Sequence, residues 1–204
     1  MSRDFRCGDF VSSRIYQLGG ADPGRMNPMA RGVLAQLRTA ASAEPGTAPA
    51  VWSITLDGLP DDVPEAQRER IEAAVHVALT QYAIHQQGKA TPMHQKGQPF
   101  GLAVRKLASL GVGDKDVHET PVYSRFMAMA QATTLPGLLA HSRGLISQLR
   151  SHDIPFDYGT YANDIYWFLT PGFAADVHRR WGRDFHRLTS DPHTPTITTE
   201  GEQA

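Results

Sequence analysis

The residues that could do chemistry here are arginines, and their spacing repeats. Arg143 and Arg150 stand seven apart in a stretch of helical period, and Arg31 and Arg38 repeat that spacing earlier. Two turns of helix put the members of each pair on one edge of an apolar stripe, about 10 Å apart along the axis. Their stems can lie on apolar surface while the guanidinium heads stay in water. A planar fork of donors matches a phosphate, so each pair is either a solvated helix rim or part of a ridge of phosphate contacts. The recurrence of the pair on a second helix weakens coincidence. Near the C-terminal end, Arg179, Arg180, Arg183 and Arg187 crowd one face of a helix, where Asp176 and Asp184 lie close enough to pair with some of them.

Other chemistries lack parts. Nine histidines are present, yet none forms a ligand pair on one helical turn, and no HExxH motif occurs. His152-Asp153 is the dipeptide of metal-dependent phosphohydrolases, but no second His or Asp is placed by pattern to complete a site. The single cysteine, Cys7, excludes an internal disulfide and a Cys-based zinc site. It falls in an N-terminus expected to fray and reads as inert. No GxSxG, P-loop, GxGxxG or paired catalytic carboxylate appears. The expectation is a chain that is not an enzyme, with no metal and no cofactor.

The elements that must position these arginines are helices. Residues 120–169 read as three in succession. Thr120 caps the first, with Pro121 at its first position and a stripe of Val122, Phe126, Met129 and Thr133. Thr134 caps the second, whose stripe is Leu138, Leu139, Ser142, Leu145, Ile146 and Leu149. Asp157 caps the third, which turns Tyr158, Ala162, Ile165, Tyr166 and Leu169 inward. Short connections predict antiparallel neighbours.

Upstream, residues 9–19 form a short first helix, and 27–41 a second with Ala30, Val33, Leu34, Leu37 and Ala41 inward. Residues 42–50 are a flexible link. Trp52, Ile54 and Leu56 alternate, which predicts an extended segment laid on the core. Asp62 and Glu65 fit a capping box for the next helix, carried by Ile71, Val75, Ala78, Leu79 and Tyr82 as far as Gly88. Its acidic first turns read as a solvated face. Residues 88–99 read as a mobile basic loop and 100–108 as a short helix that turns Phe100, Val104 and Leu107 inward and Arg105 and Lys106 outward. Gly111, Gly113 and Asp114 mark a turn. The last helix follows Thr170-Pro171 and runs to about Leu188, with Phe173, Val177, Trp181, Phe185 and Leu188 inward.

The bulk composition agrees with an all-α bundle of about seven to eight helices and no significant sheet. The chain has 204 residues, 41% of them hydrophobic. It reads as a single helical domain over 1–189, divisible into sub-bundles of about 1–110 and 111–189, with a disordered tail over 190–204. No apolar run resembles a signal peptide or a membrane span, so the expected location is cytoplasmic. The net charge of −1 is segregated: residues 1–41 carry +3, 42–72 carry −5 and 100–150 carry +3. Any nucleic-acid surface must therefore be assembled from separate segments.

The order of these features resembles the CasB family, the small subunit of the type I-E CRISPR surveillance complex Cascade. The resemblance is carried by ARGVLAQLRTA at 30–40, FGLAVRKLA at 100–108, YSRFMAMAQA at 123–132, LLAHSRGLISQLR at 138–150 and FDYGTYANDIYWF at 156–168. It spans most of residues 28–188, through order and spacing rather than one diagnostic motif. It implies a non-catalytic helical subunit that binds guide RNA and target DNA backbone without reading sequence and stabilises the R-loop in antiviral defence. The implied partners are the backbone and large subunits of Cascade, crRNA, the target and displaced DNA strands, and a second copy of the chain. The family's basic positions fall on Arg31, Arg38, Arg105, Lys106, Arg125 and Arg143. Arg150 joins them by geometry, and Arg179 and Arg183 as part of a generally basic end. Residues 42–63 and the acidic tail have no counterpart in the family pattern. The alternative reading is a helical protein–protein scaffold whose basic faces dock acidic partners.

Overall fold

The computed structural model describes residues 5–110, 112 and 116–187; the expected turn at Gly111, Gly113 and Asp114, the end of the last helix at Leu188 and the tail over 190–204 lie outside them. Nine α-helices appear among the described residues. They are α1 (Cys7–Gln17), α2 (Pro28–Ala40), α3 (Trp52–Thr55), α4 (Glu65–His85), α5 (Phe100–Ala108), α6 (Pro121–Ala130), α7 (Leu135–Ser151), α8 (Tyr158–Leu169) and α9 (Ala174–His186). The excess over the expected seven to eight is met by the single-turn α3. Outside the helices, one isolated parallel bridge joins His94 to Phe156.

Local signals set most helix starts. The Asn27 side chain accepts from Ala30 N–H, Thr120 from Tyr123 N–H and Thr134 from Gly137 N–H. Asp157 accepts from both Gly159 and Thr160 N–H at the start of α8. Each removes an orphan donor of the first turn. The capping box at Asp62 does not form: Pro64 occupies the N-cap of α4, with no side-chain cap, and Asp62 is exposed. The proline sits two residues further along than the box requires, and the helix starts behind it.

Three further expectations change. The alternating Trp52, Ile54 and Leu56 are not extended. A 3-10 turn, Pro49–Val51, runs directly into α3, burying Val51, Ile54 and Thr55 at helical spacing while Trp52 faces out. With no partner strand, helical hydrogen bonds satisfy this backbone instead. Cys7 is not in a frayed end; it opens α1 and is buried, and burial pushes its thiol up to about 12. The loop over 88–99 is tied down. The Gln86 side chain donates to the Lys89 and Thr91 carbonyls and accepts from Met93 N–H, and Met93, His94 and Gln98 are buried.

Helix α4 is the axis of the molecule. Every residue from Ala73 to Ala83 is buried, so it is covered all round rather than along one stripe. Helices α1, α2, α7 and α8 pack against it. The signal was present as an uncharged run from Ala73 to Gly88, rich in alanines that let neighbours approach closely. Helix α6 packs on α7 as expected, but α8 leaves α7 and packs instead on α4 and α1. Helix α5 packs on α9. On α2 the inward position is Ala40 rather than Ala41. Thr133 lies exposed beyond the end of α6. Phe173 is exposed at the start of α9; α8 buries Tyr158, Ala162 and Ile165 as expected and Tyr161 and Phe168 besides, while Tyr166 and Leu169 of the expected stripe are half-buried.

The core carries a polar thread. Gln81 donates to Ser142 Oγ at 3.0 Å and accepts from Tyr161 OH at 2.9 Å. Tyr158 OH lies 3.0 Å from His85 Nδ1, and Tyr158 N–H donates to His94 Nδ1 at 3.1 Å. These bonds lock α4, α7, α8 and the 88–99 loop in one register, because each buried group left unmade would carry a desolvation cost.

Candidate nucleic-acid interface

The two arginine pairs stand on α2 and α7, both of which pack on α4. Helix α2 presents exposed Arg31 and half-exposed Arg38 on one side. Both line a cavity of about 300 Å³ whose other walls include Leu34, Gln87 and Lys89. From the other side, α7 sends Arg150 to the same segment, where its Nη1 donates to Gln87 Oε1 at 3.1 Å. Two turns earlier on α7, Arg143 donates to the carbonyl of Ala41, at the C-terminal end of α2. A guanidinium there also complements the negative end of the α2 dipole. Arg31, Arg38 and Arg150 thus gather at the segment that follows α4, whereas Arg143 stands two turns away beside a separate small pocket lined by His76, Val77 and Thr80.

Lys89 lines the cavity with Arg31 and Arg38 and was not among the candidates read from the sequence, because its loop carried no periodicity to place it. Its Nζ pairs with Asp153 at 2.7 Å. Asp153 sits at φ 54° in the turn after α7, next to exposed His152. The His-Asp dipeptide is thereby a lysine clamp, and no group of three His, Cys, Asp or Glu among the described residues could hold a metal ion. Lys89 and Arg150 also mark the field of the site. Buried His85 beneath them is lowered to about 3, chiefly by burial and then by these two cations.

Arg125 stands next to the Arg143 segment of α7. It is exposed on α6 and lies across α7 at Gly144, where an added methyl would come within 3.0 Å of Arg125 Nη1. The glycine beside Arg143 is what lets this guanidinium lie close to the helix.

The remaining candidates stand elsewhere. Arg105 lies over the Phe185 ring at 5.5 Å, and Lys106 Nζ donates to Gln98 Oε1 at 3.0 Å, both on the α5–α9 side. On α9, Arg179 pairs with Asp176 of its own helix, and Arg183 is exposed. Arg180 serves the core instead. It pairs at 2.7 Å with Asp164, which is buried and also accepts from Trp181 Nε1 at 2.6 Å. Burial pushes the Asp164 carboxyl up to about 6 despite that arginine.

Arg31, Arg38 and Lys89 share one cavity, with Arg150 beside it and Arg143 two turns further back on α7, and Asp153 pairs with Lys89. Guanidinium and ammonium groups contact phosphate without reading base edges, so they position a nucleic acid without specifying its sequence. No helix of the described residues is long and apolar enough to cross a membrane.

Comparison with known proteins bears on this geometry. No curated protein sequence matches the chain significantly. The fold is similar to CasB from Thermobifida fusca, at 34% identity and a TM-score of 0.75, covering 90% of this chain and 99% of that one. It is also similar to a Cse2-family CRISPR-associated protein from Thermus thermophilus, at 18% identity and a TM-score of 0.64 over 87% and 96% of the two chains. A chain of a CRISPR RNA-guided surveillance complex matches at 20% identity and a TM-score of 0.62, over 88% and 93%. The family model of CRISPR-associated protein Cse2 matches residues 33–186, which contain α4, α7, Arg38, Lys89, Arg143 and Arg150. The helical order, the basic segments and these matches together make the chain a member of the Cse2/CasB family of CRISPR-associated proteins.

Proposed function

We propose that this chain is a non-catalytic small subunit of a type I-E Cascade complex that grips nucleic-acid backbone through the cations of α2, α7 and the segment after α4. The observation that carries the reading is that Arg31, Arg38 and Lys89 line one cavity with Arg150 bonded to its Gln87 wall, and that Arg143 continues the same helix edge two turns away. A subunit that supports strand exchange leaves sequence reading to base pairing, and backbone cations suit that division of labour. Its partners are the backbone and large subunits, crRNA, the target and displaced DNA strands, and a second copy of itself. With a net charge of −1, the isolated chain has little long-range pull on DNA, so avidity within the assembly supplies most of the retention.

Binding of purified chain to labelled single- and double-stranded DNA across a salt series tests this. If four of the cations contact phosphates, log K falls by about 3 to 4 per decade of salt, equally for unrelated sequences. Arg143→Glu flattens that slope while the chain still enters the complex. A slope unaffected by Arg143→Glu overturns this assignment. Loss of assembly with DNA binding retained favours the second reading, a scaffold that docks acidic partners. The α9 face offers that reading little free charge, because Asp176 and Asp184 already pair with Arg179 and Arg187 there.

A further inference from the structure

A second concave site lies on the far side of α8, and its chemistry differs from that of the α2 and α7 cations. A cavity of about 570 Å³ opens between the N-terminal end of α1, the outer face of α8 and α9. Arg6, Arg180, Asn163, Tyr166 and Trp167 line it. The Trp167 ring is 40% exposed and packs at 4.8 Å against Phe173, itself 43% exposed. Tyr166 meets Trp167 edge-on at 5.2 Å and carries Arg70 over its face at 6.0 Å. Three neighbouring aromatic rings at a surface are costly to leave in water when the same chain buries Tyr82, Tyr158, Tyr161 and Trp181 completely.

The electrostatics of the cavity favour an anion. Asp164 is its one carboxylate among the described lining residues, and Arg180 and Trp181 already hold it. Arg6 lines the cavity and Arg70 lies over Tyr166 beside it, and the Nε–H groups of Arg70 and Arg180 are buried without a hydrogen-bond partner among the described residues. Asn163 and Thr160 present amide and hydroxyl groups for base edges, although Asn163 spends its Oδ1 on Gly8 N–H. A flat π-face beside guanidinium groups recognises a planar base attached to a phosphate.

We infer that this cleft captures an unpaired nucleotide of a single strand, stacking its base on Trp167 and holding its phosphate near Arg6 and Arg180. The inference rests on the proposed nucleic-acid role and deepens it, adding a base-binding site to a backbone-binding one. A duplex cannot use the cleft, because its bases are already stacked. The cleft therefore discriminates unpaired from paired strands, which the α2 and α7 cations do not.

The test uses the full chain with a short oligothymidylate and with the same strand made abasic. Binding of the thymidylate quenches tryptophan emission, Trp167→Leu removes most of the quench, and the abasic strand binds about tenfold more weakly than the thymidylate. Arg6→Glu, an exposed change at the rim, weakens thymidylate binding in the same way and guards against a misfolded Trp167 variant. Equal affinity for thymidylate and abasic strands, or a quench that survives Trp167→Leu, overturns the cleft assignment. The Arg143→Glu/Arg150→Glu variant separates the two sites. It abolishes duplex binding if the backbone-binding reading is right, whereas the quench by thymidylate persists in it if the cleft reading is right.

Discussion

His85 illustrates how single residues set the pH response of the molecule. Its ring is fully buried against Phe156 and Tyr158, and burial lowers it from 6.5 to about 3. Burial likewise lowers His76, His94 and His178. The fold favours the neutral ring of all four, whereas in the unfolded chain they take up protons as pH falls through 6.5. The stability they allow is therefore present above 6.5 and lost as pH falls from there, for His85 toward 3. Asp164 acts in the opposite sense. Its carboxyl is raised from 3.8 to about 6, so its contribution is full below 3.8 and lost as pH rises through about 6. Burial raises Asp184 in the same direction. Four histidines outweigh two carboxyls, so the thermal midpoint drops between pH 7 and pH 5. His85→Gln lowers the midpoint at pH 7 and makes its dependence on pH shallower. A midpoint unchanged from pH 7 to pH 5 would refute the neutral-histidine assignment.

At the scale of elements, glycines decide how closely helices cross. Gly8 of α1 and Gly159 of α8 face each other: a methyl on Gly159 would overlap Ser12 Oγ and stand 2.8 Å from the Gly8 carbonyl. The Gly8 N–H bond to Asn163 Oδ1 at 2.8 Å fastens the same crossing. Gly159→Ala must push α1 off α8, at a cost of about 1–3 kcal/mol. That lowers the thermal midpoint by several degrees in a chain of this size. Gly32 is the contrast, since nothing lies within 4 Å of its added methyl in the middle of α2. Gly32→Ala is expected to stabilise by about 0.5–1 kcal/mol through helix propensity alone. Equal shifts for the two variants in thermal melts would show that the α1–α8 crossing does not depend on its glycines.

The whole molecule turns a nearly neutral chain into one with a basic cavity. Segments of opposite sign in sequence are sorted in space: the acidic turns open α4, and the segment that follows its other end, Gln86 to Lys89, lines a cavity with Arg31 and Arg38. Under the proposed function, the salt dependence of DNA binding reads this sorting directly, because each phosphate contact contributes about 0.9 to the slope on duplex. Arg150→Glu should lower the slope by about one. Arg105→Glu, over Phe185 on another side, should leave it nearly unchanged. A fall of equal size in both would mean that nucleic acid wraps beyond the α2 and α7 cations.

Features written into the chain alone were local ones. The caps at Thr120, Thr134 and Asp157 and the extents of α2, α5, α7 and α8 follow from bonds four residues apart and from side chains at the turn, all within reach along the chain. The seven-residue arginine spacing was equally legible, since it needs only the pitch of a helix. Which helices meet was settled in three dimensions. Burying α4 on all sides, carrying α8 away from α7 onto α1, and bringing Lys89 to Arg150 through Gln87 depend on contacts between residues far apart in the chain. No periodicity records such a pairing, because an apolar face is attracted by any apolar face, and only the simultaneous packing of all the helices selects its partner.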